Sequence, residues 1–162
     1  GAHIYAEIAG AANTADAHHI TAPAPSGAGA VSCMELALLD AGLVPADITH
    51  VNAHGTSTPL NDASEAEALS KVFGSPGPLV TSIKGVTGHS LGAAGSLEAV
   101  ALSLTYEHGL IPPTAGLTEI DPEIHLDIVT GSARPWRPGP AMSNSFGFGG
   151  HNGTLVFIPT TD

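Results

Sequence analysis

Three glycine- and hydroxyl-rich segments each follow a short apolar run, and their placement constrains this chain more than any other feature. They are NAHGTSTP at 52–59, SIKGVTGHSLGAAG at 82–95 and NSFGFGGHNG at 144–153. Backbone of this composition bends sharply and admits a ligand close to the main chain. A fold that serves all three must bring several strand ends together on one side. The α/β folds do so, and their ligand sites commonly lie beyond the strand ends. The expectation is one site built from three loops.

The runs between these segments alternate in character. Ile4–Ala12 reads as a strand that turns at Asn13, and 14–29, with Pro23 and Pro25, reads as loop. Ala30–Ala41 reads as a helix, because Val31, Met34, Leu38 and Ala41 fall on one face and Gly42 stops it. Ile48–Ala53 is a short buried strand ending at His54. Leu60–Phe73 is a second helix, its acidic first half suited to the positive end of the helix dipole. A turn at 74–78 leads into a strand at Leu79–Ile83, which ends at Lys84. Leu91–Glu107 is a third helix, with small residues from Gly92 to Ser96 that permit close packing. Pro112 and Pro113 break the chain. Leu126–Val129, Ala141–Ser145 and Thr154–Ile158 complete the strands. The order β-α-β-α-β-α, then two or three strands, predicts a mixed sheet with helical layers. No repeat or interdomain linker interrupts it, so the 162 residues read as one domain that can bury a core.

Composition removes several classes of function. Fifteen acidic residues face four basic ones, for a net charge of −11. Nucleic acid is therefore not an expected partner, since neutralising phosphate needs clustered cations. With 43% hydrophobic and 12% charged residues, the chain reads as a packed interior with many turns. So little charge also implies that another chain or domain covers part of the surface. The one cysteine precludes an internal disulfide and fits a reducing compartment. There is no signal-peptide pattern, and no apolar run nears the roughly 20 residues of a membrane span. The expected location is cytoplasmic. The opening Gly-Ala-His-Ile-Tyr reads as the middle of a protein.

Each candidate residue has a plain reading and a chemical one. His54 ends an apolar strand, where it either satisfies local backbone groups or donates to a developing negative oxygen. Lys84 and His89 share a glycine-rich bend before a helix. They are either a solvated lysine and a capping stretch, or a cationic site strengthened by the helix N-terminus. Phe146 and Phe148 alternate with Gly147, Gly149 and Gly150. They either pack in the core or form an aromatic gate, with glycine N–H groups free to face an oxyanion. Asn144 and Ser145 are placed to hold that loop by hydrogen bonds. Cys33 has Glu35 nearby and no local cation, so it reads as structural or exposed and inert. His18, His19, His50, His108, His125 and His151 form no HExxH pattern, and no cysteine pair joins them. They read as surface or turn histidines, with no metal site.

With these segments in hand, the chain resembles the β-ketoacyl-acyl-carrier-protein synthases, and most of all their type II, chain-elongating branch. The resemblance rests on VNAHGTSTPLND, TSIKGVTGHSLGAAGSLEAV, the IPPT turn and SNSFGFGGHNGTLVF, all in order. It covers nearly the whole chain (1–162) but only the C-terminal half of the family's catalytic unit. It implies a thiolase-like α/β half, a mixed five-stranded sheet with helices in layers, in the order β-α-β-α-β-α-β-β. It implies an acyltransferase that performs a decarboxylative Claisen condensation of an acyl thioester with a malonyl-carrier thioester. By motif matching, His54 and His89 would be the catalytic histidines, with Lys84 ordering the second. Thr56 and Thr58 would bond the pantetheine arm. Phe148 would gate the acyl pocket and lend its N–H to the oxyanion hole, beside Phe146, Gly147 and Gly149. Glu98 and Asn144 would hold the core of the site together, where some relatives bind a structural cation.

No resident cofactor is implied, since 4′-phosphopantetheine arrives on the acyl carrier protein. Further partners are the N-terminal half, which carries the family's nucleophilic cysteine, and a second copy in a homodimer. Cys33 does not match that nucleophile, so this chain alone is expected not to condense. Two other readings are a noncatalytic chain-length-type partner subunit and a ketosynthase fragment of a polyketide synthase. The intact set of His54, Lys84 and His89 argues against the first. The KGVTGHSLGAAG and FGFGGHN wording argues against the second.

Overall fold

The computed structural model describes residues 1–160. Its elements are β1 (Glu7–Ala15), α1 (Ala28–Ala41), β2 (His50–Asn52), α2 (Pro59–Phe73), β3 (Leu79–Thr81), α3 (Lys84–Thr87) and α4 (Ala94–His108). Then follow β4 (Leu110–Ile111), β5 (Asp127–Ile128), β6 (Arg134–Pro135), β7 (Ala141–Gly147) and β8 (His151–Ile158). Six strands make one mixed sheet in the order β1-β8-β7-β2-β3-β5. Strands β2, β3, β5 and β7 run parallel, and β8 is antiparallel to both of its neighbours. The α/β reading is therefore right.

The sheet has six strands where the resemblance implied five, and all six overlap runs read as strands from the sequence. β5, within the Leu126–Val129 run, closes on the free edge of β3, with the Val129 N–H donating to the Val80 carbonyl at 2.9 Å. β4 and β6 pair as a separate ribbon that no periodicity foretells, because each is two residues long. The turn expected at Asn13 is absent. Asn13 sits opposite Gly153, and β1 runs on to Ala15 against β8. The third strand stops at Thr81, and Lys84 begins the short helix α3 instead of ending a strand.

Alternation across the sheet sorts the core into two layers. Val51, Val80, Met142 and Val156 face α1 and α2, against Met34, Leu38 and Leu69. Leu79, Ala141 and Phe157 face α4, against Leu102, Tyr106 and Trp136. The buried stripe of α1 is Ala30, Cys33, Met34, Ala37 and Leu38. Val31 and Ala41 lie at its margin, half-buried, so the stripe is rotated from the predicted one. Cys33 is fully buried, and its thiol donates to the Ala12 carbonyl at 3.3 Å, which makes it structural. Gly42 ends α1 in the left-handed region (φ 67°), as its position predicts.

One histidine departs from its expected place. His50 is 1% exposed in the second layer, not at the surface. Its strand partners Leu79 and Ala141 put it on the α4 side of the sheet, where Trp136 lies edge-on with ring centroids 5.7 Å apart.

Candidate active site

β2, β3 and β7 lie in register, with Asn52 beside both Thr81 and Ser143. The segment after each strand therefore leaves the same edge of the sheet. This is how the three glycine-rich segments, far apart in sequence, come to share one region.

His54 stands just past the end of β2 and is 6% exposed. Its ring meets the ring of His89 at 5.4 Å, nearly perpendicular, and that of Phe146 at 5.8 Å. Its Nδ1 has no partner among the described residues, so the imidazole is not there to satisfy local backbone. Burial, then the charge of Lys84, then His89, hold its pKa down to about 3. It is a neutral imidazole at any physiological pH.

His89 is exposed in the bend between α3 and α4. Its Nδ1 accepts the Leu91 N–H at 3.2 Å. In the neutral ring this places the proton on Nε2, and that nitrogen is left as the donor.

Lys84 is 9% exposed, which rules out the reading of a solvated lysine. Its ammonium pairs with Glu98, a residue of α4 that is 1% exposed. A buried charge of either sign alone would be costly, so each requires the other. Burial pushes the Glu98 carboxyl up, against the pull of Lys84 and of the Ser145 hydroxyl, which lies 3.4 Å away. No hydrogen bond joins Lys84 to His89. The His89 ring is oriented by the Leu91 backbone, and Lys84 acts on His54 through its charge. Asn144 is fully buried on β7, where its carbonyl accepts from Thr154 Oγ1 at 2.9 Å and its amide faces Met34 Sδ at 3.4 Å. Its bonds thus run to the core and not to Glu98. Among the described residues no three His, Cys, Asp or Glu side chains converge where a metal ion would sit.

The remaining candidates form the rim. Thr56 and Thr58 face each other with hydroxyl oxygens 2.9 Å apart, ahead of α2. Phe146 is half-buried against the α1–α2 core layer, so the core reading holds for it in part. Phe148 is 77% exposed. Gly147 is exposed beside it, but the Gly149 N–H is not free, because it donates to the Ile20 carbonyl at 2.8 Å. Gly149 adopts φ 81°, which suits a glycine at this bend. That bond ties the glycine loop to the 17–24 loop, and Asp16 adds to the tie by accepting from Asn152 Nδ2 at 2.7 Å and the Ala24 N–H at 2.8 Å.

The sequence reading missed Glu65. This α2 carboxylate is 4% exposed and accepts the backbone N–H groups of His54 at 2.8 Å and Gly55 at 2.9 Å. Burial raises its pKa to about 7. It fixes the turn that carries His54. The signal was present, since Glu65, Ala68, Leu69 and Val72 lie on one stripe of the helix, where a carboxylate must have an internal purpose.

Two imidazoles side by side, a buried ammonium behind them and bent glycine backbone at the rim form an arrangement that can stabilise negative charge on oxygen. The comparisons with known proteins agree with that class. The model of the β-ketoacyl synthase C-terminal domain matches residues 5–118, and the chain belongs to that family. Over 159 residues it is 49% identical to the 3-oxoacyl-[acyl-carrier-protein] synthase 2 of Staphylococcus aureus, covering 97% of this chain and 40% of that one. Its fold matches a solved β-ketoacyl synthase from Burkholderia phymatum with a TM-score of 0.93 and 41% identity, over 99% of this chain and 39% of that one. It also matches an ishigamide ketosynthase/chain length factor, with a TM-score of 0.94 and 39% identity over the same shares. The chain thus spans about 40% of the length of the relatives it matches. None of the described helices is long and apolar enough to cross a membrane.

Proposed function

We propose that this chain supplies the decarboxylation half of a β-ketoacyl-acyl-carrier-protein synthase of fatty acid elongation. The His54–His89 pair, backed by the buried Lys84–Glu98 pair, carries the reading. As the malonyl C–C bond breaks and carbon dioxide leaves, negative charge develops on the thioester oxygen. With its Nδ1 engaged by the Leu91 N–H, His89 keeps its Nε2 hydrogen to donate to it, and His54 is held uncharged beside it. The resulting enolate attacks the carbonyl of an acyl-cysteine thioester, a new C–C bond forms, and the thiolate leaves. That thiolate comes from outside this chain, because Cys33 is buried in α1. The chain alone therefore does not condense.

Thr56 and Thr58 bind the pantetheine arm of the carrier-borne thioester, and Phe148 and its neighbours Phe146, Gly147 and Gly149 line the acyl entrance. Glu98 and Asn144 hold the site rigid. No resident cofactor takes part in this reading. The partners are acyl carrier protein thioesters, the N-terminal half and a second copy. A structural neighbour in which a type II polyketide ketosynthase is bound to its acyl-carrier protein supports the first of these. The higher identity to 3-oxoacyl-carrier synthases than to the ishigamide enzyme supports fatty acid over polyketide synthesis. In the full-length protein, His54→Ala and His89→Ala should each lower malonyl-carrier decarboxylation about a hundredfold or more. Unchanged turnover in both would instead make the chain a chain-length-type partner subunit.

A further inference from the structure

His50 lies at the opposite end of β2 from the site, four residues before His54. It is 1% exposed, on the central strand pair of the sheet, between Leu79 of β3 and Ala141 of β7. Neither of its ring nitrogens has a hydrogen-bond partner among the described residues. The indole N–H of Trp136, the ring it packs against, is spent on Thr49 Oγ1 at 3.1 Å.

We propose that His50 is an acid-sensitive latch. As a neutral ring it seats against Trp136 and holds β2, and so the His54 turn, in register; protonation loosens this end of the sheet. Among the described residues, a charge placed here would find no counter-charge. On α4, Glu98 is committed to Lys84, Glu107 to His3 at 2.8 Å, and the Tyr106 hydroxyl to the Gly139 and Phe157 carbonyls. His108 on the same helix is exposed. On the far strands Asp127 of β5 is paired with Arg134 of β6 at 2.7 Å. β3 brings only Leu79, Val80 and Thr81, and β7 no ionisable side chain, while His151 of β8 is exposed at the other end of the sheet. Burial accordingly holds the His50 pKa down at about 3. The folded state refuses the proton that the unfolded state accepts below its ordinary 6.5. The stability His50 contributes is whole above pH 6.5 and falls as pH drops from 6.5 toward 3.

The test is urea unfolding of the full-length protein at pH 7.5 and pH 5.0, as wild type, His50→Gln and His50→Phe. Between these two pH values the wild-type unfolding constant should rise roughly thirtyfold more than that of either variant. Comparison with the variants cancels other titrations, including that of Glu65. Parallel pH dependence in wild type and a folded variant overturns the proposal. Hydrogen exchange of the wild-type segment 48–54 needs no variant. Corrected for intrinsic rates, its protection should weaken at pH 5.0 relative to the α1 segment, and equal protection at both pH values also overturns the proposal.

Discussion

At the scale of single residues, the buried carboxylate of Glu65 has the clearest consequence. Its pKa of about 7 means that the folded chain keeps a proton which the unfolded chain loses above about 4.5. The stability it contributes is therefore whole below pH 4.5 and is lost as pH rises to 7, about 3 kcal/mol in all. Glu65→Gln should flatten the pH dependence of stability across that range, measured by chemical unfolding in steps of half a pH unit. Gln offers one carbonyl oxygen where the carboxylate offers two, so either His54 N–H or Gly55 N–H loses its acceptor. Turnover at pH 7.5 should fall about tenfold or more, since an orphaned buried N–H costs about 1–3 kcal/mol. Stability that falls as steeply in the variant as in wild type would assign that titration to another group.

At the scale of elements, β1 meets the backbone of α1 at Gly10, where β1 has no side chain to hold the two apart. A Cβ added at Gly10 would stand 2.5 Å from the Ala37 carbonyl oxygen and 2.7 Å from the Ala41 nitrogen, both backbone atoms that cannot turn away. Gly10→Val should push α1 off the sheet and cost about 3 kcal/mol or more, read as a drop in urea midpoint. A midpoint within experimental error of wild type would mean that α1 slides freely over β1. The same contact shows what the sequence could and could not reveal. Gly42, the three helices and the strands that build the sheet were legible, because stop signals and periodicity are local. The stripe on α1 was misplaced by its edges, since the helix turns Ala37 and Ala41 toward Gly10, and Gly10 in the sequence gives no sign of that partner. β4 and β6 were invisible because two residues carry no period. The site was legible in its residues His54, Lys84 and His89, whose types are rare in bent glycine backbone. Its supports were not all legible: the Lys84–Glu98 pair and the Glu65 anchor join positions 14 and 10 or 11 residues apart, through packing that no spacing rule encodes.

At the scale of the whole molecule, α4 covers the sheet with one face and leaves the other bare. Leu97, Val100 and Leu104, at helical spacing, are 41%, 58% and 48% exposed. Leu91, just upstream, is 77% exposed. A contiguous apolar ridge of this kind on a chain with so little charge needs a cover. The chain spans about 40% of its relatives' length, so a large unmatched portion of such a protein is available to cover it. The ridge and Glu98, the buried partner of Lys84, both belong to α4, so whatever covers the ridge also steadies the helix that holds Lys84 behind the two histidines. This predicts that one substitution has opposite effects in two settings. In the isolated chain, Val100→Glu should reduce self-association, measured by sedimentation, because it breaks the ridge at the most exposed of its three α4 positions. In the full-length protein the same change would bury a carboxylate against apolar surface and should destabilise by several kcal/mol, with loss of activity. If Val100→Glu is harmless in the full-length protein, the ridge faces solvent there and the covering surface lies elsewhere.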